Sequence, residues 1–365
     1  MILVYSFEIR PTPKQEQKMF HTLKLCRHLY NRALEERITT YKETGQGVTY
    51  SMQQNKLPAL KKESPEYKTI HSQVLQDVLR RLDTAYQNFF EKRAKYPKFK
   101  NRDSYRSFTY PQVDNVSETF HKEGFVYLSK IGYVKIVAHR LFEPGRVSQI
   151  NVIYKHNKWY ANLTAEMPDA EIARFNPERA VGADMGLIHF YALSDGNTVD
   201  APKYFRKSEK RLAKLQKSLS RKKKGSKNRN RAKAKVNQRH ERISNQRKDF
   251  LHKKSYNLVI NNDLIVMEDL RIRNMVQNHH LAKSIHDASW SAFQKYVEYK
   301  CQKYGKMFIK VDPRNTSQMC TCGHPVPKDL SVRVHKCPLC GLVEDRDVVS
   351  AKLILESGLK ILAAA

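Results

Sequence analysis

The chain has 365 residues, of which 40% are hydrophobic, and this is enough to build the cores of two or three domains. Lysine and arginine outnumber aspartate and glutamate 67 to 36, and the resulting formal charge of +31 indicates a polyanionic partner. No apolar run reaches the roughly 18 residues that would span a bilayer, and no secretion signal precedes the first elements. We therefore expect a cytoplasmic protein that binds nucleic acid, and we exclude a membrane partner.

The first half of the chain predicts strands that surround a helical insert. Residues 4–9 alternate like a strand and are stopped by Pro11 and Pro13. Apolar residues recur in steps of three and four over 19–33 and 75–89, which predicts two helices with a polar loop between them. Short β-branched and aromatic runs then fill the region up to about residue 168. Because the first strand finds no partner before that region, we expect a β-barrel that carries the helices as an insertion.

In the second half, predicted strands and helices alternate as in an α/β domain. A strand ends near Asp184, another follows at 190–193, and two long basic helices continue to about residue 257. The continuous apolar run before Glu268 is typical of a central strand covered on both faces. A helix, a further strand at 307–311 and a terminal helix from about Asp347 complete the pattern.

Three acidic residues in this half are candidates for metal-dependent chemistry. Asp184 lies beside two glycines, Glu268 follows the buried strand, and Asp347 opens the last helix. Singly, Asp184 could be a turn former and Asp347 a capping residue. Together, carboxylates of this kind suit phosphodiester hydrolysis with two divalent ions, and hard oxygen ligands favour Mg²⁺ or Mn²⁺.

A cysteine cluster precedes the last helix. Cys337 and Cys340 have the two-residue separation of a zinc knuckle, whereas a single residue separates Cys320 from Cys322. Either the first loop is compressed or His324 replaces one thiolate. We expect the cluster to bind Zn²⁺ and not to form disulfides.

The segment 203–254 holds 22 lysines and arginines against three acids. Leu212, Leu215 and Leu219 lie on one side of it at helical spacing, so its cations would project from a folded helix and could follow phosphates. The candidate nucleic-acid contacts are Arg221, Lys222, Lys223, Lys224, Lys227, Arg229 and Arg231.

Several motifs occur in a fixed order: Val-Gly-Ala-Asp-Met-Gly-Leu at 181–187, Val-Met-Glu-Asp-Leu at 266–270, Asp-Pro-Arg-Asn-Thr-Ser-Gln at 312–318 and Asp-Arg-Asp at 345–347. With the cysteine cluster just before the last of them, this order resembles the RuvC-type nuclease of the TnpB (OrfB-type) proteins of insertion sequences. The resemblance extends over nearly the whole chain. It implies an RNA-guided DNA endonuclease related to type V CRISPR effectors, with a guide RNA derived from the transposon end and a double-stranded DNA target.

The resemblance also implies a domain plan. It places a WED-like β-barrel at 1–10 and 105–172 and a REC-like helical recognition insert at 11–104. An RNase H-like (RuvC) nuclease domain would comprise 173–317 and 343–365, with a zinc-ribbon insertion at 318–342. We expect a monomer.

Site roles follow from the same resemblance. Asp184, Glu268 and Asp347 would be the catalytic ligands of Mg²⁺, and Asp345 a neighbour of the third. The family commonly continues with Asn and Ala where this chain has Val349 and Ser350. The short flanking motif of the target would be read by the N-terminal region, with candidates Gln73, Gln76, Thr109 and Tyr110.

Two alternatives stay open at this stage. A nuclease-impaired, RNA-guided DNA-binding repressor would share the fold and the guide. A zinc-ribbon DNA-binding accessory protein of a transposon would need no guide at all.

Overall fold

The computed structural model describes residues 1–113, 124–139, 146–168, 170–171, 177–275, 277–314, 316–329 and 332–364. The chain forms two compact units, Met1–Pro168 and Asp169–Ala365. Of the described helices, none is long and apolar enough to cross a membrane.

Six strands of the first unit form one antiparallel sheet. They are β1 (Ile2–Arg10), β2 (Ser107–Tyr110), β3 (Phe125–Leu128), β4 (Gly132–Val137), β5 (Arg146–Lys155) and β6 (Lys158–Glu166). Their order is β2-β5-β6-β1-β4-β3, so the first strand pairs with the late strands β6 and β4, as predicted. The Tyr110 hydroxyl at the end of β2 donates to the Ser129 carbonyl just after β3 at 2.9 Å. This bond joins the two edges of the sheet, which is therefore curled like a barrel.

The helices of the first unit follow β1 directly. They are α1 (Pro13–Thr44), α2 (Tyr50–Asn55), α3 (Leu57–Glu63) and α4 (Ser72–Phe90), with a 3₁₀ turn at Pro65–Thr69. Thr12 and Gln15 form a capping box that starts α1. The prediction of a polar loop between the two long helices was wrong, because α2 and α3 lie there. Gln53 of α2 is buried and accepts a 2.9 Å hydrogen bond from Nε of Arg37 on α1, which fixes this polar helix in place.

The second unit is built on a five-stranded mixed sheet. Its strands are β7 (Ala180–Asp184), β8 (His189–Leu193), β9 (Thr198–Asp200), β10 (Leu264–Glu268) and β11 (Met307–Val311). Its helices are α5 (Tyr204–Ser220), α6 (Lys227–Asn261), α7 (Ile272–Met275), α8 (His279–Ala288), α9 (Trp290–Tyr304) and α10 (Arg346–Ala363), after a 3₁₀ turn at Pro177–Arg179. A hairpin of β12 (Val334–Lys336) and β13 (Val343–Asp345) precedes α10.

The central strand β10 explains the layered architecture. Its residues are all buried, and alternate side chains point to opposite faces of the sheet. Ile265 and Met267 pack into a core that contains residues of α6 and α9. Leu264 and Val266 pack with Ile354 of α10 on the other face. The sheet is therefore covered on both sides, as the apolar run predicted, in an α/β/α arrangement of RNase H-like type.

Candidate functional site

Two of the predicted acids are brought together by strand register. β7 and β10 are parallel neighbours, with Gly182 beside Val266 and Ala183 beside Met267. One step further along this register places Asp184 beside Glu268. Aligned residues of parallel neighbours point to the same face, and for these two that is the face covered by α10. Two acids that are distant in sequence therefore end adjacent strands on one side of the sheet.

The third acid, Asp347, lies near the other two because α10 packs closely against β7. A Cβ atom on Gly182 would lie 2.1 Å from the Ala351 carbonyl oxygen, so only glycine lets the helix backbone lie on the strand here. Asp347 is one helical turn before Ala351. It lies near the strand end, because a Cβ atom on Gly186 would be 3.7 Å from its Oδ2. The glycines around Asp184 thus give Asp347 room beside it.

The two aspartates of the Asp-Arg-Asp motif have different tasks. Oδ1 of Asp345 accepts hydrogen bonds from the backbone N–H groups of Asp347 at 2.8 Å and Val348 at 3.3 Å, so Asp345 caps α10. Asp347 is itself buried in the first turn. Val349 and Ser350, where the family commonly has other residues, are buried as well, and the Ser350 hydroxyl donates to the Thr316 carbonyl at 3.4 Å.

The electrostatics of this acidic cluster, defined as Asp184, Glu268 and Asp347, favour a bound cation. Burial raises the pKa of Asp184 well above its ordinary value, and the charges of Glu268 and Asp347 raise it further. Burial also raises the pKa of Glu268, against the effect of a hydrogen bond from Thr316. Among the described residues the oxygens of these three acids do not all lie within 4.8 Å of one another, unlike the cysteine sulfurs below.

Three further residues hold the acidic cluster, and no local sequence pattern identifies them as a set. The Thr316 hydroxyl donates to Oε1 of Glu268 at 2.6 Å, and the Gln294 side-chain amide donates to the Glu268 carbonyl at 2.6 Å. Nε and Nη2 of Arg346 both lie 3.1 Å from Oδ1 of Asp347. Thr316 and Arg346 fall inside quoted motifs, and that position was the available clue.

The four predicted cysteines come together in the second unit. Their sulfur atoms all lie within 4.8 Å of one another, with Cys320 and Cys340 3.6 Å apart and Cys322 and Cys337 3.7 Å apart. Of the two readings of the short knuckle, the compressed loop is the one found, since the imidazole of His324 is not in this group. Such a set of thiols has the composition of a tetrahedral zinc site.

Backbone hydrogen bonds show how the first knuckle is compressed. The Gly323 N–H donates to the Cys320 carbonyl at 2.9 Å, three residues back. In the second knuckle the Gly341 N–H donates to the Cys337 carbonyl at 3.1 Å, four residues back. Both glycines have positive φ, at 84° and 73°. The turn at Cys320 is therefore one residue shorter than the turn at Cys337, and it still places the sulfurs of Cys320 and Cys322 in the group of four. Backbone N–H groups of Cys340 and Leu339 hold the pKa of Cys337 down to about 6.

The predicted basic contacts lie where α5 turns into α6. Six of the seven are exposed: Arg221, Lys222, Lys223, Lys224, Lys227 and Arg231. Arg229 is half-buried, and its Nη1 donates to the carbonyls of Leu219 and Lys222 at 3.0 Å each, which braces the turn. Leu212 and Val236 are buried in the helical hairpin that presents these charges.

The four residues predicted to read a flanking motif differ in accessibility. Gln73 and Gln76 are half-buried on α4, and the Gln73 amide donates to the Gln112 side chain at 2.6 Å. Thr109 is buried and accepts a 2.7 Å hydrogen bond from Asn151 as well as one from Arg81. Tyr110 is buried and uses its hydroxyl to bridge the sheet edges. Thr109 and Tyr110 are therefore buried and make hydrogen bonds within the protein. The two glutamines are the more accessible of the four to a nucleic acid.

Comparison with known proteins finds family matches over three regions of the chain. Three family profiles match: OrfB_IS605, described as a probable transposase, at 156–279, the Cas12f1-like TNB domain at 290–354, and a helix-turn-helix domain of OrfB_IS605 at 1–46. A Streptomyces pristinaespiralis protein, provisionally named an RNA-guided DNA endonuclease, is 36% identical over 364 residues, covering 97% of this chain and 89% of the relative. The chain belongs to the OrfB_IS605 (TnpB) family.

Of two further TnpB relatives, one matches over most of its length and the other over a shorter part. The Escherichia coli K12 relative InsQ, with the same provisional name, is 32% identical over 380 residues, covering 98% of this chain and 93% of its own. A TnpB-like protein of Acanthamoeba polyphaga mimivirus is 32% identical over 33% of this chain and 24% of its own. The region matched by the helix-turn-helix profile contains β1 and the single long helix α1 here.

Two solved structures share the fold at very low identity. The mini-RNA-guided endonuclease CRISPR-Cas_phi3 has a TM-score of 0.51 at 8% identity, covering 98% of this chain and 92% of its own. CasPhi-2 (Cas12j) bound to crRNA has a TM-score of 0.50 at 9% identity, covering 98% of each chain. These likenesses show a shared multi-domain fold.

Proposed function

We propose that this chain is an RNA-guided DNA endonuclease that cleaves target DNA at one RuvC-type site. The observation that carries the proposal is the gathering of Asp184, Glu268 and Asp347 at the α10 side of the sheet, two of them at the ends of adjacent strands. The full-length relatives provisionally named as such endonucleases support it. The charge of +31 provides the attraction for RNA and DNA phosphates.

The donor set of the acidic cluster fits divalent metal ions of the Mg²⁺ or Mn²⁺ type. Its ligands are hard carboxylate oxygens, and burying several of them together is costly without a balancing positive charge. When bound, such ions supply Lewis-acid activation of the attacking water and stabilise the leaving oxygen of the phosphodiester. Asp184, Glu268 and Asp347 are the residues that would hold them.

Other residues of the chain keep these carboxylates in position. Thr316 fixes the rotamer of Glu268 through its short hydrogen bond, and Arg346 orients Asp347 through two N–H groups. Asp345 caps the first turn of α10 and thereby holds the backbone that carries Asp347. Preorganisation of this kind lets the acids bind their ligands without reorganising during the reaction.

The remaining parts have roles in the same proposal. The four thiols would hold Zn²⁺ in the zinc ribbon at 318–342 that precedes α10. The barrel and helical insert of the first unit, with Gln73 and Gln76, contact the flanking motif of the target. The cations at 221–231 contact nucleic-acid phosphates, one chain acts per guide RNA, and the protein works in the cytoplasm of a prokaryotic host.

One experiment separates this function from its alternatives. The chain is expressed with the DNA downstream of its gene, copurifying RNA is sequenced, and a matched DNA target is offered with Mg²⁺. We expect an RNA species from the locus and cleavage that needs both that RNA and the metal. RNA-dependent binding without cleavage would indicate the repressor, and target binding without RNA would indicate the guide-independent accessory protein.

A further inference from the structure

An exposed aromatic patch lies at the end of α4, outside every site described above. It consists of Tyr86, Phe89, Phe90 and Tyr96. The rings contact one another at centroid distances of 5.2 to 6.0 Å. Phe90 is 71% exposed and Tyr96 is 43% exposed. Large rings open to water over a contiguous patch indicate a surface that a partner covers.

The patch is rigid. The hydroxyl groups of Tyr86 and Tyr96 lie 3.0 Å apart in a hydrogen bond, and the guanidinium of Arg37 lies 5.1 Å above the Tyr86 ring. Arg37 is itself fixed by a 3.0 Å ion pair with Asp83. Rings held in this way are already in the position in which they would bind.

The loop that follows the patch is also fixed. The N–H groups of Arg93 and Ala94 donate to the Asn88 carbonyl at 2.8 and 2.9 Å. At its far end, the Asn31 side chain binds both the N–H and the carbonyl of Lys100, at 2.8 and 2.9 Å. A loop tied at both ends loses little conformational entropy when a ligand binds to it.

The charge around the patch indicates the kind of partner. Residues 91–100 contain five lysines and arginines against one acid, Glu91, which pairs with Arg93. Lys92, Lys95 and Lys98 are exposed. Open ring faces beside cations suit a strand that offers both free bases and phosphates, and paired bases inside a duplex have no free faces to offer.

We propose that this aromatic patch is a stacking platform for unpaired bases of the guide RNA, an inference that rests on the proposed function. RNA is favoured over the DNA target because the guide is bound before any target is met. A resident partner keeps the exposed rings covered throughout, whereas a target strand would cover them only briefly.

The test uses the full chain with its copurified RNA. Ultraviolet crosslinking and mass spectrometry should find RNA attached to peptides that contain residues 86–99. The double variant Phe90→Leu with Tyr96→Leu keeps apolar side chains but removes the π faces, and its RNA affinity should fall about tenfold or more. Tyr41→Leu is the matched control, since Tyr41 is 64% exposed on α1 and lies outside the patch. Its affinity should stay within about twofold of wild type.

The outcomes separate the two proposals. If wild type yields RNA and guided cleavage but the double variant binds RNA as wild type does, the stacking platform is wrong and the proposed function stands. Crosslinks from the patch to DNA alone would equally overturn it. If no RNA copurifies with wild type, both proposals fail. The circular dichroism spectrum of the double variant should match that of wild type, which separates loss of stacking from loss of folding.

Discussion

The Thr316 hydroxyl donates a 2.6 Å hydrogen bond to Oε1 of Glu268, and both residues are buried. Because this hydrogen bond fixes Oε1, it also fixes the direction in which Oε2 of Glu268 points. Thr316→Val keeps the shape and removes the bond. We expect the guided cleavage rate to fall about tenfold or more, as for other residues that orient metal ligands, with little change in DNA binding.

Thr316→Ser is the control for this substitution, because it retains the hydroxyl and should recover most of the rate. Cleavage and thermal stability measured on the three proteins distinguish positioning from folding. A valine variant that cleaves as fast as wild type, or a serine variant as slow as valine, would show that the bond has no part in the reaction.

The cysteine cluster predicts one structural zinc ion per chain. Metal analysis of the purified protein should find it, and Cys337→Ser should lose it together with stability of the ribbon. His324→Ala should keep the metal, because the sulfurs of the four cysteines form the group without that imidazole. Loss of zinc in the His324 variant, with zinc retained in the Cys337 variant, would refute the assignment.

The turn between α5 and α6 predicts a salt-dependent contribution to RNA binding. Replacing Arg221, Lys222 and Lys223 by glutamine removes three exposed charges. The slope of log affinity against log salt should become shallower by about 2 to 3, since each phosphate contact contributes roughly 0.7 to 0.9. Glutamine at the exposed Lys42, Lys62 and Lys68 of the first unit is a charge-matched control. Equal slopes for wild type and the turn variant would exclude phosphate contacts there.

Lys300 predicts a pH dependence of stability. Its side chain is 6% exposed on α9, Nζ donates to the His252 carbonyl at 2.8 Å, and burial lowers its pKa from 10.5 to about 8. Between these two values the unfolded chain holds a proton that the folded chain has released. The free energy of unfolding contributed by this residue therefore rises with pH from about 8 to 10.5.

Urea unfolding of wild type and Lys300→Met across that range measures the effect. Wild type should gain stability relative to the variant as pH increases, because methionine carries no titrating group. Lys295→Met, at an exposed position of the same helix, should show no such trend. The prediction would be contradicted if the difference in free energy of unfolding between wild type and Lys300→Met did not change with pH.

Local patterns sufficed for some elements and not for others. The apolar run before Glu268 predicted a doubly covered strand because burial on both faces leaves no polar position. The short helix α2 was missed because its sequence is polar, and its position depends on the contact of Gln53 with Arg37. Helix propensity is a local property of the sequence, so it does not include such tertiary contacts.

In the candidate site, too, some residues could be predicted from local sequence patterns and others could not. Asp184 and Glu268 could be chosen from strand ends and motifs, whereas the support from Thr316 comes from a loop 48 residues beyond Glu268 and has no periodic signal. Thr109 and Tyr110 were predicted from the resemblance as residues that read the flanking motif. Their burial follows from the curl of the sheet and from contacts with Asn151 and Ser129. Long-range geometry of this kind is fixed only when the chain folds.

The most direct test of the central claim is single-turnover cleavage of a matched DNA target by the guide-loaded chain in Mg²⁺. Asp184→Asn, Glu268→Gln and Asp347→Asn are compared with wild type, and target binding is measured in parallel. We predict that each variant binds the target but cleaves it at least about a thousandfold more slowly, because each removes one ligand charge from the same site. Near-wild-type cleavage by any of the three would contradict the assignment of one site built from these carboxylates.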